Sequence, residues 1–137
     1  MANLYKILES HKDRISTIEI WDNGIIFIKI DNNCQVELED SEHQYELLKS
    51  KFDGEHKLRV LVEPGRDTTL SKEARAFSSE PERNLMTLGT AVLAKTLAHR
   101  IIINFMINLM RKQNMKMRMF DKKDKAIEWL LALKTDQ

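Results

Sequence analysis

Three methionines alternate with basic residues near the carboxyl end of the chain. Met115, Met117 and Met119 are separated by Lys116 and Arg118 in the stretch NMKMRMFDKKD. Spaced thioethers can bind Cu(I), and interleaved basic residues can follow a nucleic-acid backbone. On a strand, however, alternate side chains share one face, so the same pattern describes methionines that pack against helices. We expect this packing role, because neither a nearby histidine nor an aromatic platform for bases accompanies the stretch.

Sequence motifs for catalysis and cofactor binding are missing. The chain contains no G-x-S-x-G elbow, Walker loop, G-x-G-x-x-G turn, H-E-x-x-H pair or C-x-x-C pair. The four histidines, His11, His43, His56 and His99, lack the spacing of a zinc site and are expected to be surface or packing residues. The lone Cys34 is expected to be a packing residue. We therefore expect no catalytic residue, no cofactor and no metal, and an enzyme is the least favoured class.

The length and charge of the chain indicate one domain without a preference for polyanions. A chain of 137 residues, 42% of them apolar and 31% charged, has the size and composition of a single globular domain. With 22 basic and 21 acidic residues, it carries no overall attraction for nucleic acid. The N-terminus has no apolar signal core, and the most apolar run, 101–110, is about half of the roughly 20 residues that cross a bilayer. We expect a cytoplasmic protein with no membrane span and no nucleic-acid partner.

Turn residues and apolar periodicities predict a hairpin followed by alternating strands and helices. Asp22-Asn23-Gly24 separates two β-branched runs, as the turn of a hairpin does. The runs LRVLVE, 58–63, and LGTAVLA, 88–94, are typical of buried strands. Helices are predicted from about residue 38, over 71–78, over 97–112 and after residue 121. The fold class is therefore α/β: a single domain, 15–137, with a mixed sheet of four or five strands and packed helices, preceded by an N-terminal extension, 1–14.

Polar residues mark the expected helix starts. Ser41 and Gln44 have the spacing of a capping box for the first helix. Ser71, Thr96 and Asp121 are placed to cap the later helices.

The helix over 97–112 is apolar around most of its circumference. A helix lying on one face of a sheet hides only a stripe of about 100°, and this helix has more apolar surface than that. Either it is buried between the sheet and the terminal helix, or it presents a surface to a second copy of the chain or to an apolar ligand. The residues assigned to this dimer or ligand surface are Ile102, Ile103, Met106 and Met110.

Several packing motifs resemble those of the STAS or SpoIIAA-like proteins, a group that includes bacterial anti-sigma-factor antagonists. The resemblance rests on LRVLVEP, LSKEARAF, LGTAVLA, HRIIINFMINL and the closing MRMFDKKDKAIEWLLAL, and it extends from Thr17 over nearly the whole chain. The similarity is strongest to an uncharacterised bacterial SpoIIAA-like branch. It implies a SpoIIAA-like fold, and it supports fold better than function because its motifs are packing motifs.

The resemblance also points to the loop before the second helix. STAS proteins that act as partner switches carry a D-S-S-G type motif, whose serine is phosphorylated at a helix start. The corresponding segment, EPGRDTTLSKEAR, has Ser71 near that place but lacks the following Ser-Gly. Free N–H groups at a helix start favour an anion, but a plain capping role is the expected one for Ser71. The candidate regulatory or anion loop comprises Arg66, Thr68, Thr69, Ser71, Lys72 and Arg75.

Two functions remain open from the sequence. The first is a non-catalytic interaction or regulatory module, which we expect to form a homodimer and which could bind a protein partner. The second is a carrier or sensor of a small apolar ligand or lipid under the 97–112 helix.

Overall fold

The chain begins with three antiparallel strands. The computed structural model describes residues 5–80, 85–111 and 116–134, apart from the side chains of 109–111. Strands β1 (Ile7–Lys12), β2 (Ser16–Trp21) and β3 (Ile25–Ile30) pair in sequence order. At the turn between β2 and β3, Gly24 has a φ of +89°, a value that favours glycine, and its N–H lies 3.2 Å from the Trp21 carbonyl oxygen. The predicted hairpin is confirmed.

Strands and helices alternate along the rest of the chain. They are β4 (Gln35–Val36), α1 (Leu38–Lys51), β5 (Leu58–Glu63), β6 (Thr69–Leu70), α2 (Lys72–Ser78), β7 (Thr87–Leu93), α3 (Leu97–Arg111), β8 (Met117–Phe120) and α4 (Lys123–Ala132). Within the described residues, six strands form the main sheet in the order β1-β2-β3-β5-β7-β8, and β3, β5, β7 and β8 run parallel. Strands β4 and β6 form a separate parallel pair. The mixed α/β class is confirmed, with six strands rather than four or five, since β1 adds an edge strand from the segment assigned to the extension.

The two faces of the main sheet carry different helices. In β7, Ala91 and Leu93 pack in a cluster with α4, whereas the intervening Val92 packs with Ile103 of α3. Neighbouring strand residues point to opposite faces, so α3 and α4 lie on opposite sides of the sheet. Helix α1 covers the same face as α3, since its Leu47 packs in the cluster of β3 and β5 side chains on that face. The explanation of α3 as a helix buried between the sheet and the terminal helix is therefore wrong.

The methionines of β8 pack as their alternation predicts. Met117 and Met119 contact the cluster around Ile103, beneath α3. Phe120 belongs to the opposite face and packs in the cluster formed with α4. The packing role is confirmed for Met117 and Met119, whereas Met115 lies outside the described residues.

Two of the predicted caps are wrong. Helix α1 begins after Glu37, which forms a reciprocal capping box with Asp40, so Ser41 and Gln44 are helical residues and not its cap. Helix α4 follows Lys122, which makes no side-chain capping bond, so Asp121 does not cap it.

The other two caps are confirmed. The Ser71 hydroxyl oxygen accepts a 3.0 Å hydrogen bond from the Ala74 N–H at the start of α2. The Thr96 hydroxyl oxygen accepts a 3.1 Å bond from the His99 N–H at the start of α3. Each bond satisfies one of the unpaired N–H groups of the first helical turn.

Candidate functional site

A cavity of about 210 Å³ lies between α1, α2 and α3 on one face of the sheet. It is larger than the roughly 150 Å³ that accommodates a benzene, and smaller than the pockets of about 300 Å³ or more that hold drug-sized ligands. Its walls come from the sheet, from all three helices and from the loop after β5. The apolar part of the lining includes Val60, Val62, Val92, Leu48, Phe77, Ile102, Ile103 and Met106.

The polar side chains of the lining are uncharged or are histidine. No Asp, Glu, Lys or Arg lines the cavity among the described residues. Some of the polar groups already have partners: the Thr68 hydroxyl donates a 2.7 Å bond to the Asp31 carbonyl oxygen, and the Gln44 amide donates a 3.2 Å bond to the Ser16 hydroxyl oxygen. A cavity of this composition favours a neutral, mostly apolar molecule, because a buried charge would have no counter-charge there.

His99 contributes the one imidazole of this lining, and only 7% of the residue is exposed. Its Nε2 lies 2.9 Å from the Gly65 carbonyl oxygen. Because a carbonyl oxygen only accepts, Nε2 carries the hydrogen, and Nδ1 of the neutral ring is then an acceptor. This Nδ1 is buried and has no hydrogen-bond partner within the described residues. Most buried polar atoms are paired, so this nitrogen is an exception.

Two crossed loops position the carbonyl that His99 contacts. The Asn33 N–H donates a 2.7 Å bond to the Arg66 carbonyl oxygen, and the Arg66 N–H donates a 2.7 Å bond to the Asn32 side-chain oxygen. Asn33 and Asp67 have φ values of 55° and 57°, in the left-handed region that asparagine and aspartate tolerate better than most residues. These bonds hold the loop after β5 against the loop after β3, and Gly65 lies at their crossing.

Residues 18–134 match the model of a family that is described as a domain of unknown function, DUF7793. The chain belongs to this family. It is also similar to the crystal structure of an uncharacterised protein from the DUF3478 family with a SpoIIAA-like fold, from Shewanella loihica PV-4. That comparison has a TM-score of 0.60 and 17% sequence identity, and it covers 95% of this chain and 98% of the other. The likeness shows the fold alone, and the predicted SpoIIAA-like fold is confirmed. A comparison with curated proteins found no match.

The two surfaces predicted from the sequence meet at the cavity of this DUF7793 chain. Thr68, from the candidate regulatory loop, lines the cavity together with Ile102, Ile103 and Met106 of α3. Ile103 and Met106 are 5% and 7% exposed, so they face the interior and not a partner surface. The side chain of Met110 lies outside the described residues.

The remaining loop residues do not line the cavity. Arg66, Lys72 and Arg75 are exposed, and Thr69 is exposed in the short strand β6. The Ser71 hydroxyl is engaged in capping α2. The hydroxyl that caps α2 is thus three residues along the chain from Thr68, which lines the cavity.

The outer face of α3 carries a different set of apolar residues. Leu97, Ile101 and Phe105 are exposed by 73%, 63% and 56%, respectively. Their spacing of four places them in one row, which we call the α3 ridge. None of the three was assigned to the dimer surface from the sequence. Each helix in the described part of the chain falls short of the length and apolarity that a membrane span requires.

Sequence reasoning missed His99 and the aromatic pair of Tyr45 and Phe77 as parts of a site. The two rings pack edge to face in the cavity wall, with centroids 6.0 Å apart and planes at 82°. A signal for His99 was present, since it lies in the first turn of the most apolar helix, three residues after its cap. Its partner Gly65 is 34 residues away, however, and no local pattern predicts that contact.

The charged groups whose pKa values are shifted do not line the cavity, within the described residues. The Arg14 guanidinium donates to both carboxylate oxygens of Asp40 and lowers the pKa of that carboxyl. On the surface, the His56 ring lowers the pKa of Asp53, and Asp53 in turn raises the pKa of His56. The first pair holds the start of α1 and the second a loop after it, so both stabilise local structure. Groups of three metal-binding side chains are absent from the described ranges.

Proposed function

We propose that this domain is a non-catalytic regulatory module that binds a small, mainly apolar molecule in the cavity between α1, α2 and α3. The observation that carries the proposal is the uncharged, largely apolar lining of a cavity large enough for a ring-sized molecule. Helix α3 contacts both the cavity and the surface, so it could link ligand binding to a change at the surface. Its inner side provides Ile102, Ile103 and Met106 to the cavity, and its outer side carries the α3 ridge. A ligand that favours one position of α3 would therefore change the surface that a partner meets.

An enzymatic role has less support. A catalytic histidine usually acts with a nucleophile or is oriented by a carboxylate. The Nε2 of His99 is bonded to a backbone carbonyl rather than to one of the hydroxyl groups of the lining, and the described lining residues include no carboxylate that could orient the ring.

Methionine methyl signals offer a direct test of ligand binding. Met106 and Met117 line the cavity, whereas the buried Met86 does not. We expect toluene, added to protein labelled with ¹³C at the methionine methyls, to shift the Met106 and Met117 signals and to leave Met86 unchanged. Ile102→Trp should fill the cavity and abolish the shifts. Ile107→Trp is the matched control, because Ile107 is also half-buried on α3 but does not line the cavity. Equal toluene binding by both variants would contradict the proposal.

We propose further that two copies of the chain associate through the α3 ridge. Three exposed apolar side chains in one row support this, because a second copy would remove them from water. The exposed Asn104 and Asn108 could form a polar rim beside them. With a formal net charge of +1, two copies do not repel each other strongly.

We also propose that the loop around Ser71 contacts a protein partner. Its support is that the exposed basic residues Arg66, Lys72 and Arg75 lie near Ser71 along the chain, at a helix start. A phosphate on Ser71 would meet these cations and the first turn of α2.

Finally, we propose that residues 1–14 are an extension of the domain, and that the protein is cytoplasmic. The family match begins at residue 18, and most side chains of β1 are exposed on both faces of the strand. A single cysteine, with no partner for an internal disulfide, fits a reducing compartment.

A further inference from the structure

The outer edge of β8 is an open side of the main sheet. Strand β8 comes last in the strand order, and among the described strands it pairs with β7 alone. The carbonyl oxygens of Lys116 and Phe120 accept bonds of 3.0 and 2.8 Å from N–H groups of β7 and of the residue after it. Because backbone groups alternate in direction along a strand, the N–H and C=O groups of Met117 and Met119 point away from β7. A further strand would pair with these groups.

A groove of about 640 Å³ follows this edge between α3 and α4. Its lining combines residues 118–121 with Arg100 of α3 and three residues of α4. Since α3 and α4 lie on opposite faces of the sheet, a strand placed beside β8 would turn one face toward each helix. On the α4 side, the rings of Phe120 and Trp129 lie 5.6 Å apart between centroids and offer an apolar contact.

We propose that the β8 edge binds an extended segment of a partner protein, which adds to the sheet as a strand and carries an acidic side chain that pairs with Arg100. Binding at this edge does not require a ligand in the cavity between α1, α2 and α3, and it goes beyond the function proposed for that cavity.

The free backbone groups of β8 decide that the occupant is extended. The interior N–H and C=O groups of a helix bond to each other, so a helix has none to offer to Met117 and Met119. Every second residue of an extended segment presents both groups to the neighbouring strand. Main-chain bonds of this kind provide affinity in strand addition, and pockets for alternate side chains provide specificity.

The charges of the groove favour an acidic segment. Three basic and two acidic residues line it: Arg100, Arg118, Lys125, Asp121 and Glu128. Lys125 lies 3.6 Å from Glu128, and the Arg118 guanidinium lies 5.1 Å from the centre of the Phe120 ring. Arg100 is exposed and has no ion-pair partner within the described residues. One positive charge therefore remains in excess, on the side chain that an incoming carboxylate would meet.

A second copy of the chain suits this edge less well. Two β8 strands side by side would bring together two grooves that each have an excess of one positive charge. A partner segment with an acidic residue would neutralise that charge instead.

A phage-displayed library of random ten-residue peptides, selected on the full chain, supplies the probes. Binding is followed by the backbone amide signals of protein labelled with ¹⁵N. We expect the selected peptides to contain Asp or Glu and to shift the amide signals of Met117 and Met119. The amide signal of Val60, in β5 between β3 and β7, should stay unchanged.

Methylation of the peptide nitrogens distinguishes strand addition from other modes of binding. Each residue of a selected peptide is replaced in turn by its N-methyl form. In an added strand, every second N–H points to β8, so a loss of affinity of about tenfold or more should recur at every second residue. The protein is unchanged in this experiment, so its folding does not affect the result.

Arg100→Gln tests the recognition of the acidic side chain. We expect this variant to bind the selected peptides about fivefold more weakly than wild type. Lys49→Gln is the matched control, since Lys49 is exposed on α1 and lies outside the groove, and it should keep the wild-type affinity. Circular dichroism checks that both variants are folded.

Several results would overturn the proposal. They are a selection in which no peptide shifts the Met117 and Met119 amides, methylation effects without a period of two, and equal affinities of wild type and Arg100→Gln. If dilution of wild type without peptide shifts the same two amides, a second copy occupies the edge and the proposal is wrong. None of these results affects the toluene experiment, so the function proposed for the cavity stands or fails separately.

Discussion

Gly65 approaches Asp31 so closely that a Cβ atom on Gly65 would lie 2.3 Å from the Asp31 carbonyl oxygen. The same carbonyl oxygen accepts the hydrogen bond of the Thr68 hydroxyl in the cavity wall. A few backbone atoms thus fix the wall of the cavity and the carbonyl that orients His99. Because the obstructing atoms belong to the backbone, they cannot turn aside as a flexible side chain could.

Gly65→Ala should therefore impair stability. We expect a loss of about 1–3 kcal/mol in the free energy of unfolding, measured with urea, because the added Cβ would force the two loops apart. Gly54→Ala is the control. No atom lies within 4 Å of its added Cβ, but its φ of +88° strains alanine, so it should cost about 1 kcal/mol. A Gly65→Ala variant with wild-type stability would show that the two loops are free to separate.

The ion pair between Arg14 and Asp40 should make stability depend on pH in acid. Arg14 lowers the pKa of Asp40 below its ordinary 3.8, so the pair's contribution is complete above that value and is lost as pH falls toward the folded-state pKa. At neutral pH, Asp40→Asn should lose about 1–2 kcal/mol. The difference in the free energy of unfolding between wild type and Asp40→Asn, which we call the gap, should shrink in acid, because protonated Asp40 resembles asparagine.

Urea unfolding from neutral pH down to about pH 2 measures this gap. Glu39→Gln is the control, since Glu39 lies in the same helical turn but is exposed. A gap that stays constant over the whole pH range would exclude the ion pair as its cause.

Substitutions on the outer side of α3 should affect association of two copies, whereas a substitution on its inner side should affect folding. Ile101→Asp or Phe105→Asp places a charge in the α3 ridge and should give a folded monomer. Ile103→Asp, which buries a charge at a site that is 5% exposed, should unfold the protein. Size-exclusion chromatography with light scattering gives the mass, and circular dichroism gives the fold. A wild type that stays monomeric at high micromolar concentration would rule out the dimer.

A negative charge at Ser71 should change partner binding more than it changes the fold. Ser71→Glu imitates a phosphate beside the exposed basic side chains, whereas Ser71→Ala only removes the cap, at a cost of about 1 kcal/mol. Quantitative pull-downs with wild type and both variants measure the effect. Ser79→Glu, at the opposite end of α2, controls for added charge. If wild type and Ser71→Glu recover the same partners in the same amounts, Ser71 is only a cap.

Strand β1 should open more readily than the rest of the sheet. It lies at the edge of the sheet and pairs only with β2 there, and Ile7 and Leu8 are 52% and 63% exposed. We expect the hydrogen-bonded amides of β1 to exchange with deuterium well over tenfold faster than those of β5, which lies between β3 and β7. Similar protection of β1 and β5 would place residues 7–12 inside the cooperative domain rather than in an extension.

Features that depend on neighbouring residues were predictable from the sequence. The turn at Gly24, the strand over 58–63 and the caps by Ser71 and Thr96 each depend on residues within a few positions of one another. The alternation of Met117 and Met119 likewise predicted one packed face without knowledge of the partner helix.

Features decided by distant contacts were not predictable. The Arg59 guanidinium in β5 donates to the Leu130 and Leu133 carbonyl oxygens over 2.7 and 2.9 Å, and so caps the end of α4 from a residue 71 positions before Leu130. Asp40, rather than Ser41, belongs to the cap of α1, and its carboxylate is held by Arg14, 26 positions away. Strand β1 lacks an alternating pattern because most of its side chains on both faces are exposed.

The candidate site combines both kinds of feature. The apolar excess of α3 in the sequence indicates a ligand or partner surface, and Thr68 belongs to the loop that the sequence marks as a candidate. Which side of α3 faces the cavity and which faces solvent depends on where α1 and α2 pack. No local sequence pattern predicts that placement. The role of His99 depends on Gly65, whose own place is set by the crossing of two loops.

The register shift in β1 has a consequence for aggregation. An open sheet edge exposes unpaired N–H and C=O groups on which another chain can add a strand. Here the pairing with β2 shifts between Ile7 and Glu9. Glu9 and Lys12 also hold charges along the strand, through ion pairs of 2.6 Å with Lys51 and 3.1 Å with Asp31. A bulge and fixed charges both discourage strand addition, so this edge protects the protein from growing into a continuous intermolecular sheet.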